Sequence, residues 1–208
     1  MAMASQKVFI IGFHKTGLTS MGQALEVLGY KVCHRAAPLR ESLGHKQMIN
    51  LLRERSLAPI YEVARLYNAF HDNPWFWLFK ELDNEFPDSK FILTLRDEDA
   101  WLKSAKNYFG SSKSDFRELI YGKGSMAGNE ERYLNRYIRH NEEVRQWFAK
   151  KPGRLLEIDI TNKPEWSDIC HFLEKPIPDK PFPHLNKNSS GGSKNINQAI
   201  KKLVNRKS

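Results

Sequence analysis

The stretch Val8-Phe9-Ile10-Ile11-Gly12-Phe13-His14-Lys15-Thr16-Gly17-Leu18-Thr19-Ser20 constrains the fold more than any other, because a short apolar run breaks at a glycine and reopens as an amphipathic helix. Val8 to Ile11 have the length and side chains of a strand buried on both faces. Met21, Ala24, Leu25 and Leu28 then fall at the i, i+3, i+4, i+7 spacing of a helix. Gly12 and Gly17 let the backbone approach a ligand closely, and the N–H groups around Thr16 to Ser20 stand unpaired at the helix start, where they favour an anion. Lys15, Thr16, Thr19 and Ser20 add a cation and three hydroxyls. The segment reads as strand, phosphate loop, helix. The plainer reading, a turn capped by Thr19 or Ser20, gives Lys15 no task.

Further strands are expected at Lys90–Leu95 and Arg154–Ile158, and Tyr30–His34, after Gly29, reads as another strand or an extended connection. Between them the apolar spacing predicts one or two helices from Leu39 to Ser56, interrupted near Gly44, another from Pro59, and an aromatic-rich one with Pro74 at its first position. A helix with the stripe Trp101, Leu102, Ala105 and Tyr108 or Phe109 follows Asp97, and a long one from Asn129 stops at Pro152-Gly153. Pro164 opens the last of them. Gly110 to Gly128, rich in Ser, Gly and Lys, reads as a mobile connection or lid. Strands separated by helices make a parallel sheet covered on both faces, a three-layer α/β fold.

At 208 residues and 40% apolar content the chain suits one globular domain. Residues 1–6 read as a flexible leader, and Asn188 to Ser193 as a spacer before a short basic C-terminal helix. The net charge of +9 is largely a property of this tail, since six basic residues and no acidic one lie from Lys187 onward. Recognised nucleic-acid-binding signatures are missing, so nucleic acid is not expected as the main partner. Cys33 and Cys170 are too few and too distant for a disulfide framework or metal site and read as buried thiols. No apolar run approaches a membrane span and no signal-peptide pattern opens the chain, so a cytoplasmic protein is expected. Nothing in the sequence sets the oligomeric state.

Two more places carry chemistry. Arg96 ends the strand at Lys90–Leu95, where ligands of open α/β sheets bind, and Ser104 lies eight residues on, a little over two helical turns. Its plain alternative is an ion pair with Asp97, Glu98 or Asp99. His71 and Asp72 precede Asn73-Pro74, where Asp72 or Asn73 could equally cap the following helix. Adjacent residues of an extended segment point opposite ways, so one of the two is expected to face the site.

The loop order G-x-x-K-T-G-x-T-S differs from the NTPase loop, whose lysine directly follows the second glycine. It resembles the 5′-phosphosulfate loop of sulfotransferases that use 3′-phosphoadenosine 5′-phosphosulfate (PAPS), with Leu18 where many relatives carry threonine. Lys90 to Phe109 looks like that family's 3′-phosphate motif, strand, Arg, seven residues, Ser, helix. The runs at 72–82, 86–93, 166–173 and 181–186 resemble its compact, bacterial-type members. The likeness spans residues 7–187 and implies a P-loop-type core with a parallel sheet of four or five strands.

The resemblance implies in-line transfer of a sulfuryl group from PAPS to a hydroxyl or amine, releasing 3′,5′-adenosine diphosphate (PAP), without a metal. Lys15 would stabilise the bridging oxygen, and Gly12, His14, Lys15, Thr16, Gly17, Leu18, Thr19 and Ser20 would form the 5′-phosphosulfate loop. Arg96 and Ser104 would hold the 3′-phosphate, joined from the tail by Lys187, with His184 and Asn186 as further candidates. Asp72 is the first candidate for the general base and His71 the second. The acceptor, a small molecule or a glycan, is left open; Trp75, Trp77, Tyr108, Phe109 and Phe116 are candidates for its pocket. Two other readings stand beside this one: a P-loop kinase using ATP and Mg²⁺, and a non-catalytic nucleotide-binding module.

Overall fold

A computed structural model describes residues 6–161 and 165–183. His184, Asn186, Lys187, the spacer, the expected C-terminal helix, Pro164 and most of the leader lie outside them. In chain order the elements are β1 (Val8–Ile10), α1 (Leu18–Val27), β2 (Val32–His34), α2 (Ala37–Arg53), α3 (Ala58–Arg65), β3 (Ala69–His71), a 3₁₀ turn (Trp75–Leu78), α4 (Phe79–Glu85), β4 (Lys90–Thr94), α5 (Glu98–Phe109), α6 (Asp115–Tyr121), α7 (Glu130–Phe148), β5 (Leu155–Ile158) and α8 (Trp166–Leu173). The five strands form one parallel sheet in the order β2-β3-β1-β4-β5.

Alternation along the three inner strands divides the core. Phe9 pairs in register with Phe70 on one side and Phe91 on the other, and their rings lie 4.5 and 5.4 Å apart. This aromatic row faces α2, α4 and α7, where Trp75, Phe76, Phe79 and Phe148 complete the layer. Val8, Ile10, Ala69 and Ile92 point the other way, into a smaller core with Met21, Ala24 and Leu25 of α1 and Trp166, Ile169 and Leu173 of α8. Right-handed crossovers running in opposite directions from β1 and β3 put their helices on opposite faces, which opens a crevice above the carboxyl ends of the central strands.

Several expectations need correcting. β3 has only three residues, too few for alternation to announce, and forms the fifth strand. Pro74 precedes a 3₁₀ turn rather than opening an α-helix. Gly110–Gly128 is not an unstructured lid: α6 forms within it, capped by Ser114, and buries Phe116, Ile120 and Tyr121, with Met126 beyond. Gly44 does interrupt α2, at φ 77°. Cys33 and Cys170 are buried free thiols. Among the described residues no helix is long and apolar enough to cross a membrane.

Far from the loop, buried Asp83 of α4 accepts from Trp147 Nε1 at 2.9 Å and Arg154 Nη2 at 2.7 Å, and pairs with Lys151. One carboxylate thus ties α4 to the end of α7 and the start of β5. Asp83→Ala strands two cations and an indole N–H, and is expected to cost about 2–3 kcal/mol. In a thermal melt that is a fall of roughly 5–10 °C for a chain of this size, with ligand binding retained.

Candidate active site

The loop after β1 is held by its carbonyls. His140 Nε2–H donates to Ile11 O at 2.7 Å, the Thr16 hydroxyl to Phe13 O at 2.7 Å, Trp101 Nε1–H to His14 O at 2.7 Å, and Arg96 Nη1–H to Lys15 O at 3.2 Å. A peptide whose carbonyl is engaged on one side turns its N–H to the opposite side, and successive N–H groups so turned suit an anion. Lys15 and Gly17 sit in the left-handed region, at φ 70° and 92°. Gly17, not Thr19 or Ser20, occupies the N-cap of α1, and it makes no side-chain cap bond. A Cβ at Gly12 would lie 1.9 Å from Thr94 Oγ1, and one at Gly17 2.7 Å from Ile160 Cδ1, so neither position accepts a side chain.

Not every residue of the loop presents its side chain to the crevice. Thr16 is fully buried, and its hydroxyl also meets Thr94 Oγ1 at 2.6 Å. Leu18 packs into the α1 core, whereas Thr19 is exposed in the first turn. The His14 ring is turned inward: Tyr121 O–H donates to Nδ1 at 2.9 Å and Nε2–H donates to Asn73 Oδ1 at 3.0 Å. Burial, against the pull of Asp72, holds its pKa below the usual histidine value and keeps the ring neutral.

Arg96 makes no ion pair with its acidic neighbours among the described residues; Asp97 instead caps α5 by accepting from Ala100 N at 2.9 Å. Tyr137 clamps the Arg96 backbone, donating to its carbonyl at 2.7 Å and accepting from its N–H at 3.0 Å, and stacks on Trp101 at 4.6 Å. Arg96 Nε is buried with no partner among the described residues. A guanidinium N–H left unpaired beside an anion nest is what an absent anionic group would satisfy. Ser104 lies half-buried on α5, on the same helix as Tyr108.

Asp72 and His71 face different ways: His71 is the last residue of β3, and Asp72 turns out of the strand into the left-handed region. His71 points toward α1, where only the missing side chain of Gly22 makes room; a Cβ there would lie 2.5 Å from His71 Nε2. His34 Nδ1 lies 3.1 Å from the same nitrogen, and burial with the neighbouring His34 lowers the His71 pKa to about 4. Asp72 is 7% exposed, with φ 70°. Its Oδ2 accepts from Arg35 Nε at 2.8 Å and its Oδ1 from the Asn73 N–H at 2.8 Å, with His14 Nε2 3.8 Å away. Burial alone would raise its pKa, but His14 once protonated, Arg35 and Asn73 prevail and bring it to about 2. Arg35 and Ala36 are also left-handed, at φ 53° and 44°. Lys15, Arg35, Ala36 and Asp72, in the segments that follow β1, β2 and β3, thus carry backbone strain of about 1–3 kcal/mol each.

The Lys15 ammonium lies 4.0 Å from the centre of the Tyr108 ring. Burial, then nearby Arg96, lowers its pKa, against Asp72. Sequence reasoning missed His140, Trp101 and Tyr137 as loop supports, and Arg35 altogether. The available signals were a histidine within the apolar stripe of α7 and an arginine directly after a strand, the same position that singled out Arg96. Trp75, Phe109 and Phe116 fill the core rather than a pocket.

A five-stranded parallel sheet flanked by helices, with a phosphate-type loop leaving its central strand, defines a three-layer α/β protein of the P-loop type. Within that class the chain belongs to the sulfotransferase domain family, whose sequence model matches residues 7–122 and 115–191. It is also similar to Ava biosynthesis cluster protein M of Aspergillus versicolor, 26% identical over 212 aligned positions that span 86% of this chain and 80% of that protein. The chain is a transferase of the sulfotransferase class.

Acid stability reads out the Asp72 environment. Its folded pKa is depressed, so its contribution is complete above the unfolded value near 3.8 and is lost as pH falls through about 2. The difference amounts to about 2 kcal/mol. Urea unfolding at pH 5 and pH 2 should therefore show a smaller loss in Asp72→Asn than in the wild type, by about that amount.

Proposed function

We propose that the protein transfers a sulfuryl group in line from PAPS to a hydroxyl or amine of a small-molecule or glycan acceptor, releasing PAP and using no metal ion. One observation carries the reading. The carbonyls of Ile11, Phe13, His14 and Lys15 are all engaged by side-chain donors, which leaves the loop's peptide N–H groups for an anion, while Lys15 is half-buried and, among the described residues, Arg96 keeps a buried, unpaired Nε–H. The backbone there suits a 5′-phosphosulfate, with Gly12, Lys15, Thr16, Gly17, Leu18, Thr19 and Ser20 supplying the loop and the α1 N-terminus adding its positive end. Arg96 and Ser104 suit the 3′-phosphate, and Lys187, outside the described residues, would join them.

In the transfer, the acceptor oxygen forms a bond to sulfur as the bond from sulfur to the bridging oxygen breaks. The electron pair stays on that oxygen, now part of the PAP 5′-phosphate. Lys15 opposes the negative charge that grows there, the kind of electrostatic help that dominates group transfers of this sort. Asp72 receives the acceptor proton. A carboxylate with a pKa of about 2 is a weak base toward a free alcohol. The proton becomes strongly acidic once sulfur begins to bond, so it passes late and a weak base suffices. His71, turned to His34 and α1, is the second candidate. The catalytic unit is residues 7–187, and its buried free cysteines accord with a cytoplasmic setting.

Thermal unfolding with PAP tests the donor. At ~100 times its dissociation constant PAP should add about 2.7 kcal/mol, roughly 5–10 °C. The shift should be indifferent to Mg²⁺, absent with 3′-dephosphorylated AMP, and lost in Arg96→Ala. Lys15→Met should keep PAP binding while PAPS turnover falls about 100- to 1,000-fold. Stabilisation by ATP with Mg²⁺ alone would instead favour the kinase reading.

A further inference from the structure

Two side chains outside the phosphate loop connect the groups assigned to opposite ends of the transfer path. Arg35 leaves the end of β2 and donates from Nε to Asp72 Oδ2 at 2.8 Å. Its charge also lies close to the Tyr108 hydroxyl. The face of the Tyr108 ring carries the Lys15 ammonium, 4.0 Å from the ring centre. Asp72 is thus bonded to Arg35 and Lys15 rests on Tyr108, and the two pairs meet where the Arg35 charge lies beside the Tyr108 hydroxyl, between the candidate base and the candidate stabiliser of the leaving oxygen.

An ordinary surface ion pair does not explain these residues. Tyr108 is 59% exposed and the Arg35 side chain 43%, so neither is needed to fill the core. Yet Arg35 sits on strained backbone, beside equally strained Ala36, to reach a buried carboxylate. Tyr108 projects from the last turn of α5, four residues beyond Ser104 and so on the same helix face. One helix thereby presents the candidate 3′-phosphate ligand and, one turn on, the ring that receives Lys15.

We propose that Arg35 and Tyr108 are positioning residues that bridge the acceptor side of the site, fixing Asp72 and Lys15 at the two ends of the transfer path. The proposal rests on the sulfuryl-transfer reading given above. Arg35 orients the Asp72 carboxylate and keeps it charged. Tyr108 holds Lys15 extended by attraction between the ammonium and the ring face, and sets its hydroxyl beside the Arg35 charge. Tyr108→Phe removes the hydroxyl alone, whereas Tyr108→Leu removes the ring as well.

The groups facing Asp72 are Lys15 and His14 from the loop, His34 and Arg35 from β2 and its end, its neighbour His71, and Tyr121 from α6. Among the described residues Arg35 is the one permanent cation bonded directly to the carboxylate, so its loss should move Asp72 toward the ordinary carboxylate range. The rings His34, His71 and His14 are all held below the usual histidine pKa, so they add no charge at neutral pH.

The test compares wild type with Arg35→Gln, Arg35→Lys, Tyr108→Phe and Tyr108→Leu. PAP binding is measured by calorimetry, and PAPS consumption is followed as PAP formed, with water as the acceptor where none other is supplied. Arg35→Gln and Tyr108→Leu should bind PAP within about threefold of wild type while kcat falls about 10- to 100-fold, the usual effect of misplacing reacting groups by about an ångström. Tyr108→Phe should fall between them and wild type. In Arg35→Gln the acid limb of kcat should move up from near 2 toward about 4, and Arg35→Lys should restore part of both the rate and the limb. Unchanged kcat in Tyr108→Leu, whose exposed site leaves folding intact, would overturn the bridge, as would an acid limb that stays put in Arg35→Gln. Failure of the wild type to bind PAP would instead count against the donor reading.

Discussion

Residue 12 has no room for a side chain, and much of the structure follows from that. With Thr94 Oγ1 1.9 Å and Thr94 O 2.5 Å from where a Cβ would stand, the chain leaving β1 passes directly over the end of β4. This contact brings the loop within reach of Arg96, two residues beyond Thr94, and lets Thr16 and Thr94 share a buried hydrogen bond. Any larger residue would lift the loop from the sheet edge and separate the two halves of the crevice. Close approach of two backbones is the physical use of a glycine here; its conformational freedom matters at Gly17, at φ 92°, instead.

The loop then has to be kept from relaxing. A backbone that turns several N–H groups to one side must place its carbonyls on the other, where they need donors of their own. Those donors come from α7, α5 and the end of β4, through His140, Trp101 and Arg96. His140 illustrates the cost. Its ring is fully buried among Phe13, Phe76 and Phe79, burial drives its pKa to about 3, and Nδ1 has no partner, so it serves only as a neutral donor to Ile11 O. A fixed neutral donor tolerates changes in pH that would disturb a charged one. Strain at Lys15, Arg35, Ala36 and Asp72 persists for a related reason: the sheet and the helices around it overdetermine the strand ends.

What was legible in the chain was local. Val8–Ile11 and Lys90–Thr94 are buried on both faces and so are largely apolar runs, and the glycine spacing with Lys15 marked the turn between β1 and α1 as a candidate anion loop. β3 escaped because three residues, of which one is alanine and one histidine, carry no recognisable pattern; only pairing with β1 and β2 makes them a strand. The 110–128 segment looked loop-like from its Ser, Gly and Lys, yet Phe116, Ile120 and Tyr121 were enough to bury α6 once α2 and α7 offered a surface. Tertiary context overrode composition there. The supports of the loop were invisible for a different reason, since His140 and Ile11 are 129 residues apart.

Lys15 joins these themes, because its ammonium sits where four influences compete. Burial and Arg96 weaken its hold on the proton, Asp72 strengthens it, and the Tyr108 ring offers an uncharged partner. A desolvated ammonium is a stronger electrostatic partner for an anion than a hydrated one, since no water shell has to be stripped when the charge arrives. A flat ring is a suitable holder for such a group: it attracts the cation without neutralising it, as a carboxylate at the same place would. Lysine also suits the position better than arginine. A compact point charge on a flexible stem can leave a ring face for a single oxygen, whereas a planar guanidinium would favour two oxygens at once and remain stacked.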